Sequence, residues 1–304
     1  MRRSIKHLPK RTQGELAVLQ ELILKYISNV RMIILYGSYA RGKHVIWEEG
    51  WEFGARYTFQ SDLDILVICD INSIAKVEDQ IRRCVTANYD KRMEGKRHPA
   101  PPQIIAERTQ TITRALKQKQ YFFTEIIEDG ILFYDDGKFT LSKAEKPTFA
   151  QLKLYAEDEA PGCFHMGECF LKTGLSAKEE QEYKYGSFQL HQACERFFKT
   201  YLLTHSLIRP KHHLLQVLDA MAKNRSRAFV NIFPTSTPQD KEAFDKLCRA
   251  YIEARYNRMF TVDKEQYEYM LSRTEILRDV TARESAIRMD YYDEMAKKEE
   301  NELL

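Results

Sequence analysis

The sequence predicts an α+β protein in two parts: a sheet with helices over residues 1–142, then an all-α bundle over residues 147–284 and a charged tail at 285–304. Three observations carry this. Up to about residue 142, short β-branched apolar runs alternate with stretches of helical spacing. Beyond Pro147 the strand-like runs disappear. The 304 residues contain only 12 glycines and 9 prolines, a share that favours long helices over a turn-rich all-β fold.

In the first part, Leu16, Leu19, Ile23 and Ile27 recur at helical spacing, so Glu15 to Ser28 reads as an amphipathic helix. Arg31 to Tyr36 (RMIILY), closed by Gly37, and Leu63 to Cys69 (LDILVIC) read as buried strands, and Gln103 to Glu107 as a third. Between the first two, Val45–Trp47 and Arg56–Phe59 flank a glycine-containing stretch, which reads as a hairpin inserted over 43–60. Ile74–Asp90 and Thr109–Gln120 read as helices, and Ile131–Tyr134 as a short strand between two turns.

In the second part, Phe149–Thr173 has a helical pattern interrupted at Pro161–Gly162. Ala177–Ser206 reads as one long helix burying Phe188, Leu190, Ala193, Phe197, Tyr201 and Leu202. Shorter helices are expected at His212–Lys223, Gln239–Tyr256 and Lys264–Ala282.

Lys plus Arg number 47 and Asp plus Glu 44, a net charge of +3, which argues against a bulk electrostatic grip on nucleic acid. No apolar run reaches the roughly 18 residues that span a bilayer, and the basic start lacks the apolar core of a signal peptide. The six cysteines form no Cys-x-x-Cys pair and read as reduced thiols, so a cytoplasmic protein with no membrane partner is expected.

The chemistry concentrates in Gly37-Ser38-Tyr39-Ala40-Arg41-Gly42 after a strand and Ser61-Asp62-Leu63-Asp64 at the start of the next. Asp62 and Asp64 stand two apart, so on a strand both carboxylates face one side. Such a pair suits a cation, and Mg²⁺ takes hard oxygen ligands together with substrate phosphates. Gly37 lets the backbone approach a phosphate, and Ser38 supplies a hydroxyl and an N–H at the start of a helix. Arg41 is placed to neutralise phosphate or to pair with a carboxylate. The arrangement suggests metal-assisted phosphoryl or nucleotidyl transfer; the plainer alternative is that Asp62 and Asp64 cap a turn before a strand.

Strand, GSYARG, then SDLDILV in this order resembles the polymerase-β-like nucleotidyltransferase superfamily. The resemblance implies a mixed sheet, triphosphate binding at Gly37 and Ser38, and magnesium, as many as two ions, at Asp62 and Asp64. Active members add a third carboxylate from a later strand. Glu107 is the one acid on the third strand here, and it reads either as that ligand or as a solvated strand-end glutamate. Without it, a nucleotide-binding but weakly active module of the toxin–antitoxin type is the alternative. Trp47 and Trp51, both in the insertion, read either as stacking partners for a base or as hairpin anchors.

In the helical part, Leu190-His191-Gln192-Ala193 with Glu195-Arg196, Pro210-Lys211-His212-His213-Leu214, and Ala254-Arg255-Tyr256 resemble the HEPN domain. The chain as a whole resembles nucleotidyltransferase–HEPN fusions, and its layout is similar to kanamycin-type nucleotidyltransferases. The resemblance implies an NTP substrate, an acceptor that is a small molecule, protein or RNA, and a homodimer. Some HEPN domains are ribonucleases that use Arg-x(4–6)-His. No histidine follows Arg255 at that spacing, Arg209 precedes His212 and His213 too closely, and the two matches, Arg2…His7 and Arg92…His98, fall outside the bundle. His191 and Glu195, four apart on one helix, read either as lining a polar cleft or as a buried network. Glu253 and Arg255, two apart, fall on different helix faces.

Overall fold

The computed structural model describes residues 1–143, 146–207, 210, 213–234 and 236–302. The chain divides into two compact units, Met1–Glu48 with Phe59–Pro147, and Glu49–Thr58 with Thr148–Leu304.

The first unit is built on a four-stranded sheet in the order β5–β4–β1–β6. Its strands are β1 (Val30–Tyr36), β4 (Leu63–Cys69), β5 (Pro102–Arg108) and β6 (Ile131–Asp135). β1 runs antiparallel to β4 and β6, while β4 and β5 are parallel, so the sheet is mixed as expected. β1 and β4 are central and covered on both faces, which is why their sequences are near-continuous apolar runs. On one face Ile33, Leu35, Leu63, Ile65 and Val67 pack with Leu16, Leu19 and Ile23 of α1 (Lys10–Tyr26). The same core includes Val77, Val85 and Tyr89 of a continuous helical stretch formed by α3 (Ile74–Gln80), a π-helical turn (Ile81–Thr86) and α4 (Ala87–Met93). The opposite face carries Ile34, Tyr36 and Leu66 and is covered by α5 (Thr109–Lys117) and α6 (Tyr121–Asp129). The sequence pattern missed α6. Lys119, with φ +53, breaks the chain after α5 and lets a second helix start at Tyr121.

The inserted hairpin forms, with strands β2 (Glu48–Glu52) and β3 (Ala55–Phe59). Its first strand falls three residues later than the apolar Val45–Trp47 suggests. The two-residue turn Phe53–Gly54, with φ +48 and +72, sets the register instead. Most of the hairpin belongs to the second unit. There Asn231 Nδ2 donates to the carbonyls of Glu52 and Ala55, and Arg273 donates to that of Phe53.

The second unit is a helical bundle of α7 (Phe149–Glu179), α8 (Tyr183–Ser206), α9 (Leu215–Lys223), α10 (Pro238–Tyr256) and α11 (Lys264–Glu302), with a one-turn 3₁₀ helix at Arg227–Phe229. A capping box between Thr148 and Gln151 starts α7. The helix then runs through Pro161–Gly162, where the sequence predicts an interruption. The real break comes at Glu180–Glu182, with Gln181 at φ +61, so the expected helix over 177–206 begins at Tyr183. The predicted tail, as far as Glu302, is the continuation of α11. Leu190, Phe197, Phe198, Tyr201 and Leu202 of α8 form the centre of the core. α7 approaches α8 closely at Gly167, where a Cβ would lie 2.7 Å from the Phe197 ring. Among the described residues no helix is long and apolar enough to cross a membrane.

Candidate functional sites

In the first unit the strand-to-loop transition brings the two halves of the motif together. β1 pairs with β4 so that Tyr36 lies opposite Asp64. The chain then turns at Gly37 (φ +71) into the short helix α2 (Gly37–Arg41). A Cβ on Gly37 would lie 2.0 Å from Asp64 Oδ2, so glycine is required both by the left-handed backbone and by the carboxylate against it. Tyr39, buried in the core below, anchors the loop, and burial pushes its hydroxyl up to about 12, with Glu15 and Asp62 adding to the shift. Asp64 is buried and Asp62, one residue before β4, is half-buried. The Arg41 guanidinium lies 3.9 Å from the carboxylate of Glu125 on α6.

Glu107 does not join them. In the parallel β4–β5 register Asp64 lies opposite Gln103, whereas Glu107 lies opposite Ile68. Four residues at about 3.3 Å each place Glu107 roughly 13 Å along the sheet from Asp64. Its part as third ligand is therefore corrected. The position beside Asp64 is occupied by Gln103, a neutral amide. Among the described residues no group of three or more His, Cys, Asp or Glu is placed to hold a metal. The two aspartates alone fit Mg²⁺ in the form it most often takes at phosphate sites, with one or two protein carboxylates and the substrate supplying further oxygens.

Trp47 stacks on His98 at 3.8 Å, and the His98 carbonyl accepts from Gln60 Nε2. That is the anchoring role. Trp51 lies on the exposed side of β2.

In the second unit α8 carries a buried polar group. His191 donates from Nδ1 to the Leu247 carbonyl at 2.9 Å, and burial holds its pKa below the ordinary value. One turn on, Glu195 is 1% exposed. Burial pushes its carboxyl up, but Lys199 Nζ at 2.7 Å and His213 Nδ1 at 3.0 Å outweigh this and hold it below the usual range. A carboxylate offers only lone pairs, so His213 Nδ1 carries the proton and Nε2 is the basic nitrogen. The His213 side chain is 53% exposed and its ring stacks parallel to Tyr251, which also meets the His191 ring. His191 and Glu195 are both buried with separate hydrogen-bond partners, and Glu195 reaches the surface through His213.

His213 is the residue that spacing arguments missed. No periodicity links it to Glu195, and only the fold closes the distance. His212, Arg209 and Lys211 lie outside the described residues. Arg255 lies over the rings of Tyr251, Phe188 and Tyr256 and donates from Nε to the Tyr251 carbonyl, while Glu253 pairs with Arg249 on another face.

No curated protein matches the chain. The family model of the HEPN domain matches residues 162–285, which span most of α7, all of α8 to α10 and the first half of α11, and so include the Glu195–His213 pair. The helical part of this chain carries a HEPN domain.

Proposed function

We propose that the first unit is a Mg²⁺-dependent nucleotidyltransferase that passes an NMP from an NTP to an acceptor hydroxyl or other nucleophile. The observation that carries this reading is Gly37 pressed against Asp64, which brings the glycine turn and a carboxylate of the Asp-x-Asp pair together. The backbone N–H groups at Gly37 and Ser38 and the Ser38 hydroxyl hold the triphosphate. Asp62 and Asp64 would hold Mg²⁺, which supplies charge neutralisation at the phosphates when bound. The acceptor oxygen bonds to the α-phosphorus, the bond to the β-phosphate breaks, pyrophosphate leaves and the acceptor gives up its proton. No acid on the third strand sits beside Asp64, so the acceptor proton passes to solvent water. Six free cysteines suit a reducing, cytoplasmic setting. A homodimer, and an acceptor among small molecules, proteins or RNA, belong to the same proposal.

Calorimetry with Mg²⁺ and non-hydrolysable NTP analogues, beside a pyrophosphate-release assay, tests it. Asp62→Asn and Asp64→Asn are expected to abolish both signals. Binding without release leaves a nucleotide-binding module of the toxin–antitoxin type. Absence of binding ends the proposal.

The Glu195–His213 pair favours a second reading for the HEPN domain, acid–base cleavage of RNA. A base held by a buried carboxylate is the arrangement that activates a hydroxyl. His213 Nε2 takes the proton of a ribose 2′-hydroxyl, the 2′-oxygen bonds to the adjacent phosphorus, the bond from phosphorus to the 5′-oxygen breaks, and that oxygen takes a proton from water. His213→Ala is expected to abolish cleavage of a labelled RNA while Arg255→Ala only weakens it. Equal cleavage by wild type and His213→Ala excludes this reading.

A further inference from the structure

We infer that Ser61 is the positioning residue of the nucleotide site, the link that fixes the distance between the phosphate turn and the carboxylates; the inference rests on the nucleotidyl-transfer reading. Ser61 is 3% exposed and makes a two-point bond with Val45. Its N–H donates to the Val45 carbonyl at 2.8 Å, and its Oγ accepts from the Val45 N–H at 2.9 Å.

Those two bonds close a ring. From the phosphate turn, Lys43 N–H donates to the Ser38 carbonyl at 2.9 Å, which ties the outgoing chain to the turn. Two residues later Val45 is held by Ser61, and Ser61 leads directly into Asp62, Leu63 and Asp64. Asp64 returns to the start through its contact with Gly37. The segment is also gripped from outside, since Gln60 Nε2 donates to the His98 carbonyl at 2.9 Å and Leu63 N–H to the Pro101 carbonyl at 2.8 Å.

A hairpin of more than ten residues is inserted between the turn and the aspartates, so sequence proximity cannot set their spacing. Ser61 sets it at the base of that hairpin. Serine suits the position because a hydroxyl on a single carbon reaches the Val45 N–H of the segment alongside. Alanine leaves that N–H without its acceptor and frees the corner that carries Asp62.

Partners that orient metal ligands are typically worth about 10- to 100-fold in metal affinity or activity. Ser61→Ala is therefore expected to weaken binding of Mg²⁺ with a non-hydrolysable ATP analogue at least about tenfold. Ser61→Thr, which keeps the oxygen, restores most of it. Hydrogen exchange at the Val45 amide of the ligand-free protein rises in the alanine variant and returns towards wild type in the threonine variant. If Ser61→Ala fails to fold, Ser61→Cys, of similar size and a weak acceptor, takes its place. Wild-type affinity in Ser61→Ala, with Asp62→Asn inactive for binding, overturns the positioning role and leaves the nucleotide site standing. Wild-type affinity in both variants, or no binding by the wild type, removes both.

Discussion

Gly37 separates function from stability at a single atom. A methyl group there must displace Asp64 Oδ2, 2.0 Å away, and must hold φ at +71. The backbone cost alone is about 1–3 kcal/mol, which a buried sheet core tolerates. The displaced carboxylate is the more serious loss. Gly37→Ala is expected to lower the melting temperature modestly and to abolish Mg²⁺–nucleotide binding; calorimetry beside thermal melts reads both. Glu195 behaves in the opposite way. It is enclosed and neutralises Lys199, so Glu195→Ala leaves a mostly buried ammonium without its partner. A loss of about 2–4 kcal/mol is expected in urea denaturation. His213→Ala, at a half-exposed position, is expected to cost less than about 1 kcal/mol. A large stability loss in the histidine variant would make the pair a structural strut rather than an acid–base site. The sequence shows Gly37, Ser38, Asp62 and Asp64 because adjacent elements carry them in one order. It hides His213 because 18 residues separate it from Glu195. It misleads at Glu107, since alternation gives the face of a strand but not the register between strands.

At the scale of elements, β1 and β4 are legible because burial on both faces makes each a near-continuous apolar run. The hairpin is legible in place but not in register. Glu48 to Glu52 is polar, and its strand character comes from pairing across the Phe53–Gly54 turn and from Asn231 holding both ends of that turn. α7 shows tertiary packing overriding a local signal. Pro161 removes an N–H from the middle of a 31-residue helix, yet Leu152, Ala156, Ala160 and Leu171 on both sides remain buried and the helix continues. The mismatch leaves a gain to be measured. Pro161→Ala restores a helix donor at an exposed position and is expected to stabilise the second unit by about 1–3 kcal/mol. An unchanged or lower urea midpoint would mean that a bend at Pro161 is needed for the packing of α7.

On the scale of the folded chain, buried histidines make stability depend on pH in a definite direction. His205, near the end of α8, is pushed down to about 3 by burial, with Arg288 and Arg225 adding to the effect. His191 is lowered as well, by burial. In the unfolded chain a histidine takes its proton near pH 6.5. Below that pH the unfolded state binds more protons than the folded one, so stability falls as pH falls, down to about 3 for His205. Each pH unit is worth about 1.4 kcal/mol per histidine. Lowering the pH from 7 to 5 is thus expected to remove about 2 kcal/mol through His205 alone. The lowered carboxyl of Glu195 contributes only below the ordinary carboxylate range. Asp219, whose carboxyl burial pushes up against the pull of Lys223, acts in the opposite sense. His205→Phe isolates it, because phenylalanine fills the space beside the Tyr201 ring, 4.1 Å away, and cannot titrate. Urea denaturation at pH 7 and pH 5 is expected to give a difference about 2 kcal/mol smaller in His205→Phe than in the wild type. Equal differences in the two proteins would show that His205 takes up its proton in the folded state as readily as in the unfolded chain.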